Sequence, residues 1–273
     1  MPDRGLKPGW IDIAARGADM SLYAIEISED RFLAIDEIGE TDGFPIIVNH
    51  GMIASIREDR LFDSLVDAGF RVMSIARPGY GLSTPFGMKS IKEWGNIVEG
   101  IIDNKRIEQF DVLGMSSGAP YSYAIAHAMP DKIRNTYIFS GTPALCDERV
   151  KRLWPYPLKA EATIEELQKT AKELFFENGI NEEDMGSVDS AKNGCFGIAL
   201  DLKIRCQDWG FSLGDIKTKV YMEHGIDDAS VPFGTAEITA GLLPNCVMIK
   251  RANGGHFSNE LLDEFIKKTI ITT

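Results

Sequence analysis

The sequence predicts an α/β protein, built on a mostly parallel sheet with helices on both faces. Two observations carry this. Eight short apolar segments bounded by Gly, Pro or Asn recur along the chain, and from the third onward they alternate with helical stretches. A parallel sheet covered on both faces requires that pattern. The second observation is a gap of about 75 residues between the sixth and seventh segments, several times the length of a single crossover. A chain of 273 residues, 44% hydrophobic and 26% charged, has room for one such core with an insertion.

The elements follow in order. "SLYAIEIS" and "RFLAIDEIG" sit close together with no helix between them, as an antiparallel lead-in. "FPIIVNHG" is the third strand. "SIREDRLFDSLVDAG" is then expected as a helix: Ser55 and Glu58 have capping-box spacing, Ile56, Leu61, Phe62, Leu65 and Val66 fall near one face, and Gly69 ends it. "RVMSIARPG", "FDVLGMSS" and "NTYIFSG" supply the next three strands, and "KVYMEHG" and "CVMIKRANGG" the last two. Between "NTYIFSG" and "KVYMEHG" lies "ATIEELQKTAKELFFENG", in which Thr163 and Glu166 form a second capping box, Leu167, Ala171, Leu174 and Phe175 make a stripe, and Gly179 stops the helix. Nothing in this region is low-complexity. The expected division is a core of residues 1–141 and 216–273 with a helical lid at 142–215.

Composition narrows the function. A net charge of −12 and a pI near 4.9 argue against a nucleic-acid partner, because phosphate binding draws on clustered Lys and Arg. Cys146, Cys195, Cys206 and Cys246 are scattered without a CxxC pair, so neither a metal site nor a disulfide framework is expected, and no cofactor is implied. The opening "MPDRGLKPGWIDIAARGADM" has no apolar run suited to a signal sequence, and no stretch is long and apolar enough for a membrane span. The expectation is a cytoplasmic protein acting on a small-molecule substrate.

The chemistry concentrates in three places. In "GMSSG", Gly114, Ser116 and Gly118 give GxSxG between a strand and a helix. That arrangement holds a serine on a sharp turn, a nucleophile elbow, with its hydroxyl exposed at the sheet edge. In "IIVNHGM", a glycine just after a strand lets the chain curl so that the Met52 N–H turns inward. Paired with the Ser117 N–H, it would form an oxyanion hole. In "RANGGHFSNELLDEFI", His256 stands on a Gly-Gly loop ahead of a helix capped by Ser258, placed to reach over the sheet edge and take the serine's proton. Of the other three histidines, His127 is read as a packed or surface residue of a helix, His50 as a loop former and His224 as a turn former.

These residues resemble the α/β-hydrolase superfamily over nearly the whole chain. The matching stretches are "NHG" at 49–51, "RPGYGLS" at 77–83, "GMSSG" at 114–118, "HGIDDASVP" at 224–232 and "GGH" at 254–256. The resemblance implies an eight-stranded, mostly parallel sheet, a lid inserted after the sixth strand, and nucleophile, acid and base in the order Ser, Asp, His. The family spacing of strand-end glycine, acid and Val-Pro turn selects Asp228 through Gly225, Val231 and Pro232. Asp227 is then expected to bond loop amides, and Asp147 is the rival position after the sixth strand. Many relatives have an acid where Ala76 stands, and the aminopeptidase branch has a tryptophan that "GMSSG" lacks, which speaks against a peptidase.

The implied activity is that of a carboxylesterase-like serine hydrolase acting on a small or medium ester, thioester or amide by two-step acyl transfer. Trp154, Tyr156, Phe175, Phe176, Phe196, Trp209 and Phe211 are candidates for an apolar acyl pocket in the lid. Ser116 excludes the branches that carry an aspartate at the elbow. A cofactor-free haloperoxidase-like enzyme, a carbon-carbon bond hydrolase and a ligand receptor that keeps the triad fit the same residues.

Overall fold

The computed structural model of the protein describes residues 10–15 and 20–273; most of the opening stretch read above for a signal sequence lies outside them. The first half of the chain runs β1 (Trp10–Ala15), β2 (Met20–Ser28), β3 (Arg31–Ile38), β4 (Phe44–Asn49), α1 (Asp63–Asp67), β5 (Phe70–Ile75), α2 (Lys92–Asn104), β6 (Phe110–Met115) and α3 (Ala119–Ala128). The second half runs β7 (Ile133–Phe139), α4 (Glu148–Leu153), α5 (Ile164–Phe175), α6 (Met185–Ile204), β8 (Lys219–Gly225), α7 (Phe233–Leu242), β9 (Cys246–Arg251) and α8 (Asn259–Phe265). One sheet takes all the strands in the order β1-β2-β3-β5-β4-β6-β7-β8-β9. Strands β4 to β9 pair in parallel, and β1, β2 and β3 are antiparallel, β3 against β5. The eight expected strands are β2 to β9; β1 is a ninth, added at the antiparallel edge.

The apolar strand sequences follow from burial on both faces. Side chains alternate across a strand, so Ile46 and Val48 of β4 pack with Leu113 and Met115 against Leu65 of α1 and Phe265 of α8. Ile47 points the other way, into a cluster with Val112, Trp94 of α2 and Ile125 of α3. Helices thus cover both sides.

The helix expected from Ser55 begins later. The Ser55 hydroxyl donates to the Asp189 carboxylate and accepts the Arg57 N–H at 3.0 Å, so that of the box only the Glu58 half forms, accepting from the Ser55 N–H at 3.2 Å. A 3₁₀ turn at Asp59–Phe62 and the short α1 follow.

Helices α4, α5 and α6 fill the long connection between β7 and β8. The Thr163 capping box forms as expected, with the Glu166 N–H donating to Oγ1 at 3.2 Å and the Thr163 N–H to Glu166 Oε2 at 2.8 Å. Helix α6 is broken at Lys192–Cys195, where Asn193, Gly194 and Cys195 have φ of 53°, 67° and 65°. Of the aromatic residues expected around a pocket, Trp209 is core: it is 1% exposed, stacks on Tyr123 at 6.3 Å and donates its Nε1–H to the Arg205 carbonyl at 2.9 Å. Phe196 and Phe211 pack against the same cluster, and Phe176 against a smaller one. A helix break and core aromatics tie the insertion to the sheet side of the protein. Truncating Trp209 to Ala is therefore expected to destabilise the whole fold, by about 3–5 kcal/mol, read as a lower urea midpoint at unchanged m-value.

Candidate active site

Strand β6 ends in the tight corner foreseen from its glycines. Ser116 has φ of 47°, a left-handed conformation that a non-glycine residue adopts only when its surroundings enforce it. They do so here on both sides. A Cβ on Gly118 would lie 2.0 Å from the Asn49 carbonyl oxygen, and one on Gly114 would lie 2.4 Å from Ser122 Oγ. The corner sits so close to the end of β4 that no side chain fits. Asn49 holds the two together: its Nδ2 donates to Ser122 Oγ and its Oδ1 accepts from Trp94 Nε1, each at 2.9 Å.

His256 arrives from the other side of the sheet edge. Asp227 Oδ1 accepts the Gly255 N–H at 3.1 Å, Arg251 donates to the Gly255 carbonyl at 2.7 Å, and Ser258 Oγ caps α8 through the Leu261 N–H at 3.3 Å. Held there, His256 Nε2 is 2.9 Å from Ser116 Oγ and its Nδ1 is 2.8 Å from Asp228 Oδ2. A carboxylate only accepts, so Nδ1 carries the hydrogen and Nε2 is left as the acceptor for the serine hydroxyl.

Asp228 is buried. Burial works against its charge, but hydrogen bonds from His224, His256 and the Val231 N–H outweigh that and hold the carboxyl well below the usual range. Its Oδ1 accepts from the Ser230 and Val231 N–H groups at 2.9 and 2.8 Å. Asp227 bonds the histidine loop, as expected of it. Asp147 is elsewhere: it caps α4 and pairs with Arg149 at 2.8 Å.

Four further residues matter whose roles the motifs did not show. His224 is fully buried, with Nε2 3.2 Å from Asp228 Oδ2 and 2.8 Å from the Val231 carbonyl, so it braces the acid. Arg77 is buried and donates to the His50 and Gly51 carbonyls at 2.6 and 2.9 Å and to Asp201 Oδ2 at 2.7 Å. Asp201 also accepts hydroxyls from Tyr80 and Tyr121. An acid inside the apolar run "CFGIALDLKI" was the available signal for it. Ser190, on the first half of α6, accepts the Ala54 N–H at 3.0 Å and donates to the Met52 carbonyl at 3.2 Å.

The loop carrying Met52 is oriented by these contacts. The peptide is trans, so with the Gly51 carbonyl turned toward Arg77 the Met52 N–H points away from it. Met52 and Ser117 both border the cavity that holds Ser116 and His256, of about 670 Å³. Leu174 and Phe175, 66% and 42% exposed, line it instead of packing inward as the stripe of α5 predicts, and Trp154 and Tyr156 join them. Among the described residues, no group of His, Cys, Asp or Glu is gathered as metal ligands, and no helix is long and apolar enough to cross a membrane.

No family model matches the chain. It is 26% identical over 219 residues to a 2-hydroxy-6-oxononadienedioate/2-hydroxy-6-oxononatrienedioate hydrolase of Cupriavidus pinatubonensis, covering 73% of this chain and 74% of that protein. A pimeloyl-acyl-carrier-protein methyl ester esterase of Aromatoleum aromaticum is 25% identical over 210 residues, 69% of this chain and 81% of that protein. The solved structure of an esterase from Exiguobacterium antarcticum superposes with a TM-score of 0.70 at 17% identity, over 92% of this chain and 99% of that one. The chain has the α/β-hydrolase fold. The relatives are named as a hydrolase and an esterase, and because one fold hosts many reactions the site must identify the reaction.

His50 offers a test of this geometry. The Arg77 N–H donates to its Nε2 at 3.2 Å, so Nδ1 carries the hydrogen and donates to the Gly51 carbonyl at 2.8 Å. Burial, then the charge of Arg77, holds its pKa well below the ordinary histidine value. The unfolded chain takes up a proton near pH 6.5 and the folded chain does not, so stability is lost as pH falls below that point. From pH 7.5 to 5.5 the loss is about 1.4 kcal/mol, and His50→Gln removes it, measured by urea unfolding at the two pH values.

Proposed function

We propose that this α/β-hydrolase is a serine hydrolase, carboxylesterase-like, which cleaves a small or medium ester, thioester or amide through Ser116, His256 and Asp228. The observation that carries this reading is the unbroken hydrogen-bonded chain from Ser116 Oγ to His256 Nε2 at 2.9 Å and from His256 Nδ1 to Asp228 at 2.8 Å. In the reaction His256 takes the hydroxyl proton as Oγ attacks the substrate carbonyl, and Asp228 stabilises the imidazolium that results. The Met52 and Ser117 N–H groups receive the oxyanion. The tetrahedral species collapses as His256 passes its proton to the leaving group, and water, deprotonated by the same imidazole, then releases the acid.

His50 and His224 are unsuited to the base role. Each has Nε2 engaged within the fold, His50 by the Arg77 N–H and His224 at Val231 and Asp228. The insertion at residues 142–215 acts in this reading as a lid, whose Trp154, Tyr156, Leu174 and Phe175 give the cavity its apolar wall. The hydrolase activities named for the relatives support catalysis over a ligand-receptor role, and the apolar cavity with a serine at its floor supports ester cleavage.

The experiment is fluorophosphonate labelling with peptide mapping, alongside hydrolysis of a short p-nitrophenyl ester. The label is expected on Ser116 and lost in Ser116→Ala. Asp228→Asn is expected to cut turnover by roughly three to four orders of magnitude in a protein that still folds, with a lowered melting temperature because the native carboxylate is stabilised by its hydrogen bonds. Labelling of Ser117, or labelling that survives Ser116→Ala, overturns the assignment.

A further inference from the structure

Folded proteins leave few buried polar atoms unpaired, and each exception calls for a reason. Arg205 Nε and Trp154 Nε1 are two such atoms here, and both residues line the cavity above Ser116. They are neighbours: the Arg205 guanidinium carbon lies 5.6 Å from the centre of the Trp154 ring. Arg205 follows the last residue of α6, and Trp154 follows α4. Two separate helix ends therefore deliver unpartnered N–H donors to one part of the wall.

Nothing within the fold meets this demand. Among the described residues Arg205 side-chain nitrogens have no hydrogen bond and no ion pair. The carboxylate nearest in sequence on its helix, Asp201, is committed to Arg77, Tyr80 and Tyr121. Burial disfavours the charge of Arg205, with attraction from Asp201 working against that. Among the described residues the one carboxyl group bordering the cavity, Glu58, accepts the Ser55 N–H, and burial raises its pKa. Lys159, the other cation in the wall, donates to Thr170 Oγ1 at 2.9 Å.

We infer that Arg205 and Trp154 form a carboxylate-binding subsite, and that the substrate is an ester whose acyl chain ends in a carboxylate. This deepens the serine-hydrolase reading and rests on it for the ester. A guanidinium fork matches two carboxylate oxygens and is less strongly hydrated than an ammonium, and the indole N–H adds one more donor. Leu158, Leu167, Leu202 and Phe175 in the same wall suit the methylene chain between the two ends. Lys159 stands ready to contribute long-range attraction. Arg205 and Trp154 are positioned to bind substrate and to set which substrate is chosen, with the bond cleaved at Ser116.

Two measurements on the full chain separate the subsite from the reaction. In the first, straight-chain dicarboxylic acids and their uncharged dimethyl esters are titrated calorimetrically into the Ser116→Ala protein. The dicarboxylic acids are expected to bind at least ten-fold more tightly, and Arg205→Gln in that background is expected to erase the difference while Arg205→Lys keeps part of it. In the second, kcat/KM is compared for the monomethyl esters of those dicarboxylic acids and the methyl esters of monocarboxylic acids of equal length. The preference for the charged ester is expected to fall at least ten-fold in Arg205→Gln and several-fold in Trp154→Phe, which keeps an aromatic ring and removes the N–H. Trp154→Phe also stands as the test if Arg205→Gln fails to fold. Equal binding of the acids and the uncharged esters, or a preference unchanged in both variants, overturns the subsite. Tight, Arg205-dependent binding of dicarboxylic acids with no turnover of any ester supports the subsite and overturns the hydrolase reading instead.

Discussion

The buried contact between Arg77 and Asp201 is the point from which the rest of the site is set. Arg77 leaves the end of β5 and directs its donors to two segments: Nη1 to the His50 carbonyl, Nη2 to the Gly51 carbonyl and Asp201, and Nε to Asp201 Oδ1 at 3.3 Å. Tyr80 and Tyr121 complete the carboxylate, and their rings lie 5.0 and 4.6 Å from the guanidinium carbon. Taking two charges out of water costs several kcal/mol per ion, so such a pair persists only with its hydrogen bonds satisfied, and loss of one partner typically costs about 3–5 kcal/mol. That cost enforces one geometry on the β4 loop, on α3 through Tyr121 and on the second half of α6. The orientation of the Met52 peptide is a consequence of it.

The location of the cavity follows from the strand order. β5 lies on one side of β4 and β6 on the other, so the connections leaving β4 and β6 diverge to opposite faces and open a crevice at the carboxyl ends of the strands. The Ser116 corner and the His50–Met52 loop are the two lips of that crevice. His256 and Asp228 reach it from β9 and β8, which are neighbours in the sheet. A hydrogen bond between residues 28 apart in sequence, at 2.8 Å, is thus the product of one parallel pairing.

Where local chemistry decides the structure, the sequence was readable. The glycines around Ser116 report a contact of the backbone with itself, the Thr163 box reports its own helix start, and eight apolar runs report strands buried on both faces. Where a distant group decides, it was not. Ser55 has the spacing of a cap, but its hydroxyl goes to Asp189, more than 130 residues away. Trp209 looks like any other aromatic of the insertion, and only its stack on Tyr123 makes it core. Asp201 and Arg205 lie outside the motifs, and His224, the first residue of "HGIDDASVP", reads only as a turn former; the roles of all three come from what the fold brings beside them. β1 went unread because a single strand at an antiparallel edge has little to distinguish it from an extended segment.

The polar contacts of the insertion are unevenly distributed, and this bears on how the cavity opens. Both halves of α6 are bound to the catalytic side: Ser190 and Asp189 hold the segment from Met52 to Arg57, and Asp201 holds Arg77. The break at Asn193 lets one helix do both, and Asn193 Nδ2 fastens it to the Gly79 carbonyl at 3.1 Å. Swinging α6 away would uncover the Arg77–Asp201 pair and release the Met52 loop, so α6 belongs with the sheet. Tyr156, between α4 and α5, has only one hydrogen bond to the core, from its hydroxyl to the Ala229 carbonyl at 3.1 Å. The chain following α4 also carries Trp154, half of the unpartnered donor pair, whereas Arg205 stays with α6. A substrate carboxylate bridging the two would add to the contacts already made there, where Lys203 and Gln207 donate to the Ala162 and Ala160 carbonyls at 2.7 and 3.2 Å.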